Sequence, residues 1–94
     1  MALVKTNQES KTIFIREITL AAFRTRFTFA EKIAIESSTD AGIRVLEKDL
    51  AARQIIRLDL KQLQDGLDYY ISKGLLAPER KAELLANGTQ DETL

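Results

Sequence analysis

Helix start and stop signals recur along this chain so closely that none of its helices can be long. Thr28-Phe29-Ala30-Glu31 has the form of a capping box, in which a Thr hydroxyl and a Glu carboxylate satisfy backbone donors reciprocally, so a helix should start there. Ser37-Ser38-Thr39-Asp40 ends it and Asp40 caps the next, an amphipathic helix from Ala41 to about Gln54 with Ile43, Leu46 and Leu50 in one apolar line. On its wet side Asp49 and Arg53 are spaced for an i,i+4 ion pair. Ile55-Ile56-Arg57-Leu58 interrupts the period as a short apolar link, expected to be buried. Asp59 then offers a further cap with Gln62 at the reciprocal position, and Leu60, Leu63, Leu67, Tyr70 and Ile71 form the stripe of a helix running to about Lys73. Gly74 stops it in the left-handed conformation, with Leu75 folding back onto the last turn. Pro78 and Glu79 suit the first turn of a short last helix, Pro78 to about Ala86, burying Ala82 and Leu85 and ending at Asn87-Gly88.

The region before Thr28 is less decided. Thr12-Ile13-Phe14-Ile15 is β-branched and aromatic and so locally extended, yet Phe14, Ile18, Ala21 and Thr25 also fall at helical spacing. The expectation is an extended segment to about Arg16, then a helical turn around Leu20 to Phe23. Residues 1–11 read as a flexible arm, 12–86 as a single domain and 87–94 as a frayed acidic tail. The fold class is mainly α, a small compact helical domain of three to four helices with a short extended or irregular N-terminal segment. Ninety-four residues leave room for one core.

Composition removes much chemistry. The chain has no His and no Cys, so imidazole bases, thiol nucleophiles, disulfides and Cys/His zinc sites are absent. Its four Gly are isolated at 42, 66, 74 and 88, which makes no phosphate-cradling loop. Asp65 and Asp68 lie within a turn of each other but away from the apolar stripe, the placing of solvated acids and not of a metal or acid–base pair. No catalytic residue, cofactor or metal ligand is expected, and the chain is read as no enzyme. With 14 basic and 14 acidic residues the net charge is zero, against the basic excess of a nucleic-acid module. The first 32 residues hold six Lys or Arg against three Glu, a local +3 balanced by −3 in the remainder. Apolar runs are only a few residues long, so neither a membrane span nor a secretory core is expected and the protein should stay where it is made; the lack of Cys fits a reducing cytoplasm.

Two positions invite a functional reading. Phe23-Arg24-Thr25-Arg26-Phe27-Thr28-Phe29 sets two Arg among three Phe immediately before a cap, the composition of an interface hot spot; the competing reading sends the rings to the core and leaves both Arg in water. Tyr69, exposed beside the striped Tyr70, is a weak stacking candidate. Phe23, Arg24, Arg26, Phe29 and Tyr69 are therefore the candidate protein-interface residues. Gly66, inside a helix, marks a close approach by a crossing helix of this chain or of another copy.

The run Ala22-Phe23-Arg24-Thr25-Arg26-Phe27-Thr28-Phe29-Ala30-Glu31-Lys32-Ile33-Ala34, the Ile56-Arg57-Leu58-Asp59 link, and Gly74-Leu75-Leu76-Ala77-Pro78-Glu79-Arg80 leading into Ala82-Glu83-Leu84-Leu85 together resemble a family of small proteins of tailed bacteriophages and prophages. The likeness covers about residues 20–86. Arg57 stands where similar proteins tend to have an acid, and Ala77 replaces the usual hydroxyl cap before Pro, weakening the last helix by about 1 kcal/mol. What the resemblance implies is a phage context among late, virion-related genes, located in the bacterial host cytoplasm or the virion, with no catalytic residues carried over. The leading expectation is a non-enzymatic phage or prophage protein that binds another protein, a virion, tail or assembly component. The alternative is a small cytoplasmic regulator or inhibitor of a host protein, and a weak DNA-binding module comes last. A phage or host protein is the expected partner, with homo-oligomerisation open and neither nucleic acid nor membrane insertion expected.

Overall fold

A computed structural model describes residues 14–94. The expected arm, residues 1–11, lies outside them. Five short α-helices and a two-stranded antiparallel sheet follow in the order β1 (Glu17–Thr19), α1 (Leu20–Thr25), α2 (Phe29–Ser37), α3 (Ala41–Ala51), β2 (Ile55–Arg57), α4 (Lys61–Ser72) and α5 (Arg80–Leu84), closed by a 3-10 turn at Gln90–Thr93. The protein is mainly α, with more helices than the three to four expected.

Local signals decide most of the helix ends. Both halves of the Thr28–Glu31 capping box form, at 2.8 and 3.1 Å. Asp40 accepts from the Ile43 amide at 3.1 Å. Gly74 has φ 76°, the Gly74 amide donates to the Ile71 carbonyl and the Leu75 amide to Tyr70, which together make a Schellman end. Thr19 adds a cap for α1 by accepting from the Ala22 amide.

The apolar link is a strand. Ile56 pairs with Ile18, and both enter a core with Phe23 and Leu58; Ile55, on the opposite face, is exposed instead of buried. A second cluster gathers Ile35, Ile43, Leu67, Tyr70, Leu76 and Leu84, and Phe27 and Leu85 pack against both, joining them into one interior.

Three expectations are corrected where tertiary contacts outbid local ones. Asp59 does not cap α4: its carboxylate accepts from Arg16 Nε at 2.8 Å, and the helix starts at Lys61 with Leu60 at the cap and no side-chain hydrogen bond. α5 begins two residues after Pro78 and buries Leu84, while Ala82 is exposed and Leu85 half-buried. α3 ends at Ala51, so Arg53 lies beyond it and no ion pair to Asp49 forms among the described residues.

Residues 87–94, expected to fray, are stitched down. The Gly88 amide donates to the Ile15 carbonyl at 2.8 Å, extending the sheet beside β1. The last carbonyls of a helix lack intrahelical donors and its C-terminus favours cations. Here two distant arginines supply both: Arg16 donates to the Leu85 carbonyl at 2.8 Å, and Arg26 to Leu84 at 2.9 Å and Ala86 at 2.7 Å.

Two glycines make opposite predictions. A Cβ on Gly88 would lie 2.6 Å from Ile18 Cγ2 and 2.8 Å from Ile15 Cγ2, so Gly88→Ala is expected to cost about 1–3 kcal/mol in urea unfolding. A Cβ on Gly66 would meet only Leu46 Cδ2, at 3.7 Å, an ordinary contact. The close approach expected at Gly66 is thus a side chain of α3 with room to spare. Gly66→Ala should stabilise by about 0.5–1 kcal/mol, since a helical glycine is disfavoured by that much.

Candidate functional site

The Phe/Arg segment does not form one surface. Phe23 is 1% exposed and meets Phe27 edge to face, centroids 5.3 Å apart and planes at 79°. It belongs to the core, which corrects its place among the interface candidates. Arg26 is also internal: its side chain is only 12% exposed and grips both Glu92 oxygens at 2.8 and 2.9 Å besides the two carbonyls above. Neither the interface reading nor a guanidinium left in water fits it. The Arg26 hydrogen bonds hold the Glu92 carboxyl down to about 2. Tyr69 is half-buried and donates to Asp40 at 2.7 Å, with Lys73 over its ring at 5.3 Å. That hydrogen bond keeps the Asp40 carboxyl below its usual range and the Tyr69 phenol above its own. Tyr69 thus braces the cap of α3 and is not a free platform.

Phe29 and Arg24 remain, and they share a groove. About 370 Å³ in volume, it runs between α2 and the α1/α3 side, with Phe27, Ile35 and Leu50 among its apolar lining and Lys32 and Glu36 among its charges. Phe29 is 77% and Ile33 49% exposed on its α2 wall. Across from them Glu47 accepts from Arg24 at 3.3 Å and from the Tyr70 hydroxyl. Burial, then the bond to Glu47, raises the Tyr70 phenol well above its ordinary value, so it stays a neutral donor that pins Glu47 in place. Phe27 and Leu50 also line a larger apolar trough of about 690 Å³ between α3 and α4, flanked by Leu46, Leu63 and Gly66.

Ile33 escaped the sequence reading as a surface residue. Its signal was present: with Phe29 and Ile33 a turn apart and Ile35 on the other side, α2 is apolar on two opposite faces, whereas a helix against one core should be wet on its far face.

Asp65, Asp68 and Glu31 hold cations of this chain and do not cluster. Asp65 pairs with Lys61 and Asp68 with Lys81, each at 2.8 Å, so the two carboxylates diverge. Arg80 takes Glu31 at 2.7 Å, which keeps that carboxyl below its usual range. Among the described residues no three acidic side chains gather as a metal would require, and no helix is long and apolar enough to cross a membrane. No protein-family model, curated protein or solved structure matches the chain.

Proposed function

We propose that this chain is a non-enzymatic protein-docking module whose docking surface is the outward face of α2 and the groove beside it. One observation carries the reading: Phe29 and Ile33 stand adjacent and exposed, 77% and 49%, at the lip of an apolar groove, where solvent-facing helices carry polar side chains. The groove suits recognition in which an apolar side chain fills the depression while a charged rim sets orientation. The ion pairs that occupy Glu31, Glu47 and Glu92 support a structural role for these acids. A phage or prophage setting, with a virion, tail or assembly protein as the docked partner, rests on the resemblance of residues 20–86.

The test is a Phe29→Ser/Ile33→Ser double variant. Both positions are exposed, so its thermal midpoint should stay within a few degrees of the parent's. A protein that co-purifies with the native chain from its producing cells should be lost, its affinity falling about tenfold or more. Equal recovery by the folded variant would refute the docking surface.

A further inference from the structure

We propose that the partner of this face is a second copy of the chain, its α2 packed antiparallel to the first across a two-fold axis through Ile33, with Lys32 of each copy paired to Glu36 of the other. The inference rests on the docking reading and names the occupant.

Helical geometry places the parts. At 3.6 residues per turn, Ile33 lies nearly opposite the buried Ile35 and so at the centre of the outward face. Phe29 and Ser37 are one turn to either side of it, Ala30 three residues before and Glu36 three after. An antiparallel two-fold axis at Ile33 keeps like flanks side by side and sets each height against the equal height beyond Ile33 on the other copy. Phe29, on the same flank as Glu36, then covers the stem of Glu36 of the other copy, and Ala30 faces Ser37. The ring packs on an aliphatic stem on one flank, two small residues meet on the other, and Ile33 meets itself.

Charge selects this orientation. Lys32 and Glu36 lie on one flank of that face, both exposed, and neither has an ion-pair partner among the described residues. They are i,i+4 neighbours in the order cation then acid, the poorer one for pairing within a helix. In an antiparallel two-fold pair like flanks run side by side, so Lys32 of each copy lies next to Glu36 of the other and both charges are met twice. A parallel pair would put this flank against the uncharged Ala30 and Ser37 and meet neither. A net charge of zero adds no long-range repulsion between copies.

The seam is short, nine residues of α2, or about 13 Å at 1.5 Å per residue, so the dimer should be weak and in fast exchange, with a dissociation constant on the order of 10–100 μM. Sedimentation velocity of the full chain from about 5 μM to about 1 mM reads it directly. The expected result is a concentration-dependent rise from 10.6 kDa towards twice that mass, weakened by added salt. Lys32→Glu and Glu36→Lys should each weaken association about tenfold or more by setting like charges together. An equimolar mixture of the two variants should recover it, because an all-acidic flank then meets an all-basic one, as should the double swap Lys32→Glu/Glu36→Lys. Both sites are exposed, and matching far-UV circular dichroism and thermal midpoints establish that each variant is folded. A wild type that stays monomeric at about 1 mM, or a dimer indifferent to both single variants, overturns the pairing. Recovery of a different protein, lost in Phe29→Ser/Ile33→Ser, would then leave the docking reading standing, and no such protein would bring down both.

Discussion

Phe23→Ala should cost about 3–5 kcal/mol, the usual loss when a buried phenylalanine is cut to a methyl group and its neighbours cannot close the cavity. The ring is 1% exposed, shares its cluster with Ile18, Ile56 and Leu58, and makes an edge-to-face contact with Phe27. A domain of this size holds about 5–10 kcal/mol in total, so the variant should be partly unfolded at room temperature. In urea its midpoint should fall by about a third or more at unchanged slope, and Phe23→Leu should recover most of the difference. A fully folded Phe23→Ala that loses only partner binding would mean the ring faces a partner after all.

Arg26→Ala should lose about 2–4 kcal/mol, because it leaves the Glu92 carboxylate and the carbonyls of Leu84 and Ala86 facing a guanidinium-sized gap in a poorly hydrated place. Lysine should rescue little, since it offers a point charge where a planar fork now reaches both Glu92 oxygens and three carbonyls. The same contact predicts acid sensitivity. Arg26 depresses the folded carboxyl of Glu92 to about 2 from an ordinary 4.5, so the unfolded chain binds that proton first. Its contribution is complete above about pH 4.5 and is lost as pH falls through that value towards 2. Glu31, held down by Arg80, acts in the same sense. Melting followed from pH 6 to pH 2.5 should show a steep fall for the parent. Glu92→Gln should melt lower at pH 6 and fall less steeply; a parallel curve would contradict the coupling.

The contacts behind these two predictions differ in how far they could be read from sequence. Capping at Thr28 and Asp40 and the stop at Gly74 were legible because donor and acceptor lie within five residues of each other, so local spacing is enough. The strand at Ile55–Arg57 was half legible: β-branched residues showed the helix had stopped, but only a partner 38 positions away, Ile18 against Ile56, turns an interruption into a ladder and decides which isoleucine is buried. The roles of Arg16, Arg26 and Arg80 were not legible at all. A guanidinium in a sequence gives no direction, and apart from Glu83, three residues from Arg80, the carboxylate and amide side chains they bind lie 43 to 71 residues away. For the same reason local spacing marks Asp59 as a cap, whereas in the fold its carboxylate belongs to Arg16. At the site, Phe29 and Arg24 were found for their chemistry. Ile33, Lys32 and Glu36 required knowing which side of α2 the core uses, and that is fixed by Ile35.

The stitching of residues 84–92 to β1 and α1 also sets how the protein reaches its fold. Helical proteins fold fast when their contacts are local, because little chain entropy is lost before each contact is rewarded. Here the final contacts join Arg16 to Asn87 and Arg26 to Glu92, across 71 and 66 residues, and the strand pair bridges about two fifths of the chain. The helices can flicker into being early, but the ring closes only when both ends of the described chain arrive together. Refolding should therefore be slower than for a helical bundle of equal length. Because the two arginine clasps are among the last contacts to form, weakening Arg26 should mainly speed unfolding and leave the refolding rate nearly unchanged.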